Sequence, residues 1–132
     1  MALLDDVGAY LEGEVGSLTL GTNLFLGRMP DEPDTCVALF EYGGDAPVNT
    51  MGSDAMPPVE QPRIQILTRA SGYSSARTLA LSCWTAVEGI LNESLSGTRY
   101  HRIAANQSPF PLERDSRDRV VWAQNFRVQK EL

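Results

Sequence analysis

The stretch Gln61–Leu91 (QPRIQILTRASGYSSARTLALSCWTAVEGIL) predicts one strand that leads into one helix, and we expect the rest of the chain to be arranged around these two elements. Its first part, Arg63–Arg69, alternates, with Ile64 and Ile66 on one side and polar residues on the other. A period of two is typical of a half-buried strand. Leu67 breaks the alternation, which indicates that the second face of this strand is also partly covered.

The second part, Tyr73–Leu91, has apolar residues at spacings of three and four, which is the period of a helix with one buried face. Trp84 lies in the middle of this stripe, and we expect it to be the largest buried side chain of the helix. The stripe consists of Tyr73, Ala76, Ala80, Cys83, Trp84, Val87 and Leu91.

Composition and charge limit the classes of protein that this chain can represent. Its 132 residues are 42% apolar and 21% charged, which suits one folded domain spanning residues 1–132 and argues against disorder. The formal net charge of −6 argues against a dedicated nucleic-acid binder. The acidic N-terminus does not resemble a signal peptide. Both Cys36 and Cys83 lie in apolar patterns, so we expect buried free thiols.

An amphipathic pattern at the start of the chain predicts a helix over Ala2–Val15. Leu3, Leu4, Val7 and Leu11 form its apolar face. Its opposite face is acidic and is either a solvated surface or a charged contact surface. The acidic residues are Asp5, Asp6, Glu12 and Glu14.

Four further segments have the composition of strands: Thr22–Met29, Cys36–Tyr42, Thr98–Ala105 and Val120–Val128. The short loop between the first two predicts an antiparallel hairpin, and the segment 92–97 predicts a turn. The element order is then α-β-β-β-α-β-β. This order predicts an α+β fold with a single mostly antiparallel sheet and two helices packed on one face.

The segment Gly43–Pro62 contains several Gly and Pro residues and shows no periodicity, so it predicts a long loop. Such loops are uncommon inside compact domains. It is either an insertion without a role or an arm that orders against a partner subunit. The link between long loops and recognition favours the arm.

No pattern of catalytic or metal-binding residues is present, so we expect no enzyme and no cofactor. His101 is the only histidine, and the chain lacks the C-x-x-C, H-E-x-x-H, Walker and dinucleotide-binding motifs. The carboxylate pairs Asp5–Asp6 and Asp115–Asp118 lie in segments that look exposed, whereas catalytic carboxyls need enclosed pockets. A small enzyme or ligand-binding domain remains an alternative, with a pocket lined by Tyr100, His101 and Arg102.

Taken in this order, the segments resemble the tail terminator proteins of long-tailed, siphovirus-type bacteriophages, also called minor capsid or tail completion proteins. The resemblance covers most of the chain and consists of core and turn patterns without a catalytic signature. The turn Asp115–Arg119 lacks the Gly that many members of this group have. The similar stretches are Asn23–Pro30, Cys36–Gly44, Pro62–Tyr73, Ala76–Trp84 and Ser108–Val128.

The resemblance implies a structural virion protein at the head–tail junction, made in the cytoplasm of the host bacterium. Such proteins form a hexameric ring at the head-proximal end of the tail tube. The ring ends tube polymerisation and joins the tail to the head. Its partners would be other copies of itself, the tail tube protein and head-completion or connector proteins. DNA would pass through the lumen without sequence-specific binding. A head-completion or adaptor protein of the phage neck is the alternative.

Two segments are our candidates for contact between subunits or with partners. The first is the arm, at Val48, Met51 and Met56. The second is the segment around Pro109–Arg119. Its candidate residues are Pro109, Phe110, Arg114, Asp115 and Arg117. Acidic residues that line the lumen could come from the N-terminal helix or from the arm.

Overall fold

The structure is a computed structural model that describes residues 2–48 and 58–131. In this part of the chain it contains two helices and one seven-stranded sheet. The elements in order are α1 (Leu3–Glu14), β1 (Leu24–Leu26), β2 (Cys36–Val48), β3 (Val59–Ala70), α2 (Tyr73–Glu88), β4 (Leu91–Leu95), β5 (Thr98–Ala105), β6 (Phe110–Pro111) and β7 (Val120–Glu131).

The sheet has the strand order β1-β2-β3-β7-β5-β4, and β6 pairs with β7 beyond the end of β5. The predicted α+β class and the order of the main elements are confirmed. Two short strands, β4 and β6, are added. β4 occupies most of the segment that was predicted as a turn, so that prediction was wrong.

The predicted antiparallel hairpin at β1 and β2 was also wrong, because these strands run parallel, with Leu24 opposite Val37 and Leu26 opposite Leu39. The loop between them carries the chain back to the starting end of β1. It is held there by Arg69, whose guanidinium donates to the carbonyl oxygens of residues 30, 33 and 34 at 2.7–3.1 Å. The other strand pairs are antiparallel, so the sheet is mixed rather than mostly antiparallel.

One face of the sheet forms the main core with both helices, as predicted. Ile64 and Ile66 of the predicted central strand are fully buried there, beside Phe126 of β7. α1 contributes Leu3, Val7 and Leu11 to this core, and α2 contributes Cys83 and Val87. Ala76 and Ala80 of α2 belong to a smaller cluster around Trp122.

The end of α2 differs from the prediction. The helix ends at Glu88, and Leu91 begins β4 instead, with 66% of its surface exposed. Trp84 is partly buried against the main core, and its indole N–H points towards the Gln107 carbonyl at 3.4 Å. Among the described residues, the largest fully buried side chain is that of Tyr100 on β5.

The other face of the sheet is covered over one half only. Cys36 and Ala38 are fully buried and Arg69 is 4% exposed at the covered end. The loop that binds Arg69 provides part of this cover. The break in alternation at Leu67 therefore indicated correctly that the second face is partly buried.

The described parts of the segment predicted as a loop over 43–62 are mainly continuations of two strands. β2 extends to Val48 and β3 begins at Val59, with these two residues paired. A register shift follows Glu41, and at Gly44 a Cβ atom would lie 2.8 Å from the backbone oxygen of Gln61. Glycine at this bulge hid the strand from sequence periodicity. Residues 49–57 lie outside the described residues, and with them the predicted contacts Met51 and Met56.

Candidate functional site

The predicted contact segment around residues 109–119 runs beside β7. Pro109 and Phe110 are half-buried, and Phe110 belongs to β6, which pairs with β7. The backbone N–H of Leu112 donates to the carbonyl of Val121 at 2.8 Å. The rest of the segment extends over the sheet end towards the loop that precedes β2.

Arg119 joins this segment to that loop. Its guanidinium lies 2.9 Å from an Asp31 carboxylate oxygen, 3.1 Å from Asp34 and 2.8 Å from Asp115. The Arg119 side chain is only 6% exposed, so one buried cation is neutralised by carboxylates from two distant segments. We call this group the ion-pair cluster. It consists of Asp31, Glu32, Asp34, Asp115, Arg117 and Arg119.

Arg117 lies at the outer side of the ion-pair cluster. One of its guanidinium nitrogens lies 2.9 Å from an Asp31 oxygen and 2.7 Å from a Glu32 oxygen. Arg114 donates to the Asp118 carbonyl at 2.9 Å. The predicted contact residues Arg114, Asp115 and Arg117 are thus close together and already bound within the chain. Contact of these three residues with a partner stays a prediction.

The ion-pair cluster lowers the pKa values of two of its carboxyl groups. The pKa of Asp31 is lowered first by the hydrogen bond from the Arg119 side chain, with Arg117 adding to it. The pKa of Asp115 is lowered first by the backbone N–H of Arg119 and then by the Arg119 guanidinium. Both carboxylates therefore keep their charge in moderately acidic solution.

The charged segment 114–119 was recognisable from the sequence, but its acidic partners in the segment 31–34 were not. The segments 30–34 (PDEPD) and 115–119 (DSRDR) carry complementary charge, and this was the available signal. It is a weak signal, because opposite charges are common on protein surfaces and more than eighty residues separate Asp31 from Arg119.

The uncovered half of the second sheet face is a polar surface that the sequence analysis missed. Arg63 and Asp45 form an ion pair at 3.0 Å, and the Gln65 amide donates to the Asn125 side chain at 3.1 Å. We call this surface the open sheet face. Its residues are Asp45, Gln61, Arg63, Gln65, Arg102, Asn125, Arg127 and Gln129.

A cavity of about 110 Å³ lies on the open sheet face. Arg102 and Arg127 line it together with Gln61, Gln129 and Asp45. Both arginines are exposed, and neither forms an ion pair with another described residue. The Gln129 amide donates to the Gln61 side-chain oxygen at 3.2 Å, and the Gln61 amide donates to the Ala46 carbonyl at 2.8 Å. The cavity therefore offers mainly its two guanidinium groups to an anionic group.

A buried hydrogen bond links α1 to the sheet. The Tyr100 hydroxyl donates to an Asp6 carboxylate oxygen at 2.8 Å, and the two residues are 0% and 1% exposed. Burial and, after it, the bond to Asp6 raise the pKa of Tyr100. The predicted exposure of Asp6 was wrong, because this bond to a residue 94 positions away holds its side chain inside.

The alternative ligand pocket at Tyr100, His101 and Arg102 is not formed. Tyr100 faces the core, His101 lies 3.2 Å from Glu131, and Arg102 points to the open sheet face. The pairing register of β5 with β7 shifts between Tyr100 and Arg102, and this bulge turns the two side chains to opposite faces, so the three residues do not converge.

The described residues hold no group of three or more His, Cys, Asp or Glu side chains placed to bind a metal ion. Cys36 and Cys83 are buried free thiols, as predicted, and burial raises the pKa of Cys83 to about 12. Neither described helix has the length and apolarity that crossing a membrane requires.

Comparison with known proteins gives a family and a fold. The family model described as "Bacteriophage tail terminator protein" matches residues 10–132. A chain of the solved structure titled "Virion of native gene transfer agent (GTA) particle" is similar with a TM-score of 0.72 and 21% identity. The similarity covers 99% of this chain and 96% of that chain. No curated protein matches the sequence.

Proposed function

Because this chain belongs to the bacteriophage tail terminator protein family, we propose that it forms a ring that ends polymerisation of the tail tube. It is a structural protein of the phage tail. The proposed ring lies at the head-proximal end of the tube, and its free side joins the head-completion or connector proteins. DNA passes through the lumen without sequence-specific binding, for which a net charge of −6 is suitable.

The single observation that carries this proposal, beyond the family, is the long free edge of β2. β1 pairs only with Val37–Leu39, so residues 40–48 have no strand on their outer side among the described residues. The outer edge of β4, at the other end of the sheet, is also free within that part of the chain. Unprotected edges are rare in monomers because they pair with other chains.

The two free edges differ in length and sequence, so they suit a head-to-tail contact between neighbouring subunits. Contacts of this kind close into a ring when the rotation between subunits is suitable. The longer free edge consists of residues 40–48 of β2, which include the first part of the arm. In this proposal each subunit therefore contacts one neighbour through its arm and the other through a different surface.

Termination requires that the two sides of the ring differ. One side matches the end of the tail tube, and the other side cannot accept a further tube subunit. Neither binding event needs a chemical reaction, so the proposed protein acts without catalysis or a cofactor. It would be made in the host cytoplasm and incorporated at the head–tail junction.

Negative-stain electron microscopy of the purified protein, alone and mixed with the tail tube protein, tests this function. We expect rings, and tubes that carry a ring at one end and stop growing. Uncapped tubes, together with binding to portal-containing heads, would instead identify a head adaptor. Absence of any assembly would refute both functions.

Deletion of residues 50–56 tests the role of the arm. We expect the deletion to abolish rings and tube capping while the thermal melting temperature stays near that of the wild type. Unchanged ring formation and capping would show that the arm does not contact the neighbour.

A further inference from the structure

The open sheet face carries positive charge in a protein that is acidic as a whole. Arg63 is neutralised by Asp45 at 3.0 Å, whereas Arg102 and Arg127 have no ionic partner among the described residues. Both line the same cavity of about 110 Å³, together with Asp45, whose charge is balanced by Arg63, and with Gln61 and Gln129, which are hydrogen-bonded to each other. A cavity of this size can hold a carboxylate side chain. Paired guanidinium groups favour such a planar anion because they bind it bidentately.

An exposed apolar residue lies beside these arginines. Leu91 stands opposite Arg102 in the β4–β5 ladder and is 66% exposed, the largest exposure among the large apolar residues described. Arginine next to an exposed apolar side chain is typical of a surface that binds protein. A nucleic-acid site would need a longer run of cations, because its affinity depends on neutralising several phosphates.

The complementary surface lies on the same chain, at the margin between α1 and β4. Glu14 and Glu93 are exposed, and their carboxylates form no ion pair or hydrogen bond with another described residue. Both lie close enough to Tyr10 to raise the pKa of its hydroxyl, after the larger effect of burial. We call Tyr10, Glu14 and Glu93 the acidic margin.

The acidic margin and the open sheet face cannot meet within one molecule. α1 packs on the core face of the sheet, whereas the cavity opens on the opposite face. They can meet between two copies, and because the two surfaces differ, the contact is head-to-tail. From this arrangement we infer that the open sheet face binds the acidic margin of a second copy, with Glu14 or Glu93 entering between Arg102 and Arg127.

This inference rests on the proposed ring and specifies one of its interfaces. Each subunit would use its open sheet face towards one neighbour and its acidic margin towards the other. Leu91 would contribute apolar area at the edge of the contact. Assembly would then weaken as salt concentration rises, because the paired charges lie partly in solvent.

Charge reversal and charge exchange test the interface. The double variant Arg102→Glu/Arg127→Glu and the double variant Glu14→Lys/Glu93→Lys should each weaken ring assembly by roughly 10-fold or more. An equimolar mixture of the two variants should restore mixed assemblies, because each open face then meets a margin of opposite charge. Sedimentation velocity and negative-stain microscopy measure assembly in each case.

Arg99→Glu is the matched control. Arg99 is exposed on the same strand as Arg102 but does not line the cavity, so its reversal changes the net charge without touching the proposed contact. We expect the control to assemble as the wild type does. The thermal melting temperature of each variant shows whether it is folded, and folding should persist because every substituted side chain is exposed or partly exposed.

The possible results separate this inference from the proposed function. Wild-type rings together with intact rings from both double variants would overturn the interface and leave the ring. Loss of assembly without recovery in the mixture would overturn the acidic margin as the occupant. If the variant Arg102→Glu/Arg127→Glu lost binding to a labelled DNA duplex while its assembly stayed unchanged, the two arginines would belong to a nucleic-acid site and the inference would be overturned. Failure of the wild type to assemble, alone or on tubes, would overturn the proposed function itself.

Discussion

Replacing Tyr100 by phenylalanine should destabilise the fold measurably, although it removes only one oxygen atom. The hydroxyl donates to Asp6 at 2.8 Å, and both residues are almost fully buried. The other oxygen of Asp6 already has no hydrogen-bond partner among the described residues. In the Tyr100→Phe variant the buried Asp6 carboxyl group would therefore lose its hydrogen bond from Tyr100, and its side chain would have no partner among the described residues.

The size of this effect follows from burial of the unsatisfied group. A buried polar group left without its partner costs about 1–3 kcal/mol, so we expect the free energy of unfolding to fall by about 2 kcal/mol. For a chain of 132 residues, with an unfolding entropy of about 2.1 cal/mol/K per residue, this corresponds to a melting temperature lower by roughly 7 °C.

Urea denaturation followed by circular dichroism measures the change, and Tyr10→Phe is the control. Tyr10 is half-buried and its hydroxyl has no hydrogen-bond partner among the described residues, so its loss should change stability by less than about 0.5 kcal/mol. If the Tyr100 and Tyr10 variants were equally stable, the Asp6–Tyr100 bond would not contribute to holding α1 on the sheet.

Three further results are expected. Asp31 and Asp115 have lowered pKa values in the folded state, so their stabilising effect is present above the ordinary value of 3.8 and is lost as the pH falls through the folded-state values. The unfolding free energy should therefore decrease below about pH 4, and removal of Arg119 should flatten this decrease. Gly44→Ala should lower the free energy of unfolding by about 1–3 kcal/mol, because the added Cβ would lie 2.8 Å from a backbone oxygen. Gly13→Ala should raise the free energy of unfolding by about 0.5–1 kcal/mol in the same denaturation assay, because Gly13 lies in a helix and nothing lies within 4 Å of the added Cβ. Cys83 should not react with a thiol reagent until the chain unfolds, and rapid labelling of the native protein would contradict its burial.

The candidate surfaces were predictable only where they lie close together in sequence. The segment around Arg114, Asp115 and Arg117 stood out by its charge and its prolines, and the structure does place these residues together. Their binding to Asp31 was not predictable, since no local pattern identifies a partner more than eighty residues away. The open sheet face was missed because Arg102 and Arg127 belong to strands that become neighbours only in the folded sheet.

Local sequence patterns were sufficient to predict the elements whose pattern repeats within a few residues. The alternation at Ile64 and Ile66 and the helical stripe of α2 were sufficient, because burying one face imposes a period of two or of 3.6. The free energy gained by burying an element depends on which of its faces is apolar, and residues close together in the sequence determine that face.

The way in which the elements combine depends on contacts that form only in the folded chain. Arg69 holds the loop that turns β1 and β2 into a parallel pair, and the bond from Tyr100 takes Asp6 out of solvent. The bulge at Gly44 lets two strands continue through a segment without periodicity. These outcomes depend on contacts between residues that the chain brings together only on folding, and so no short stretch of sequence contains them.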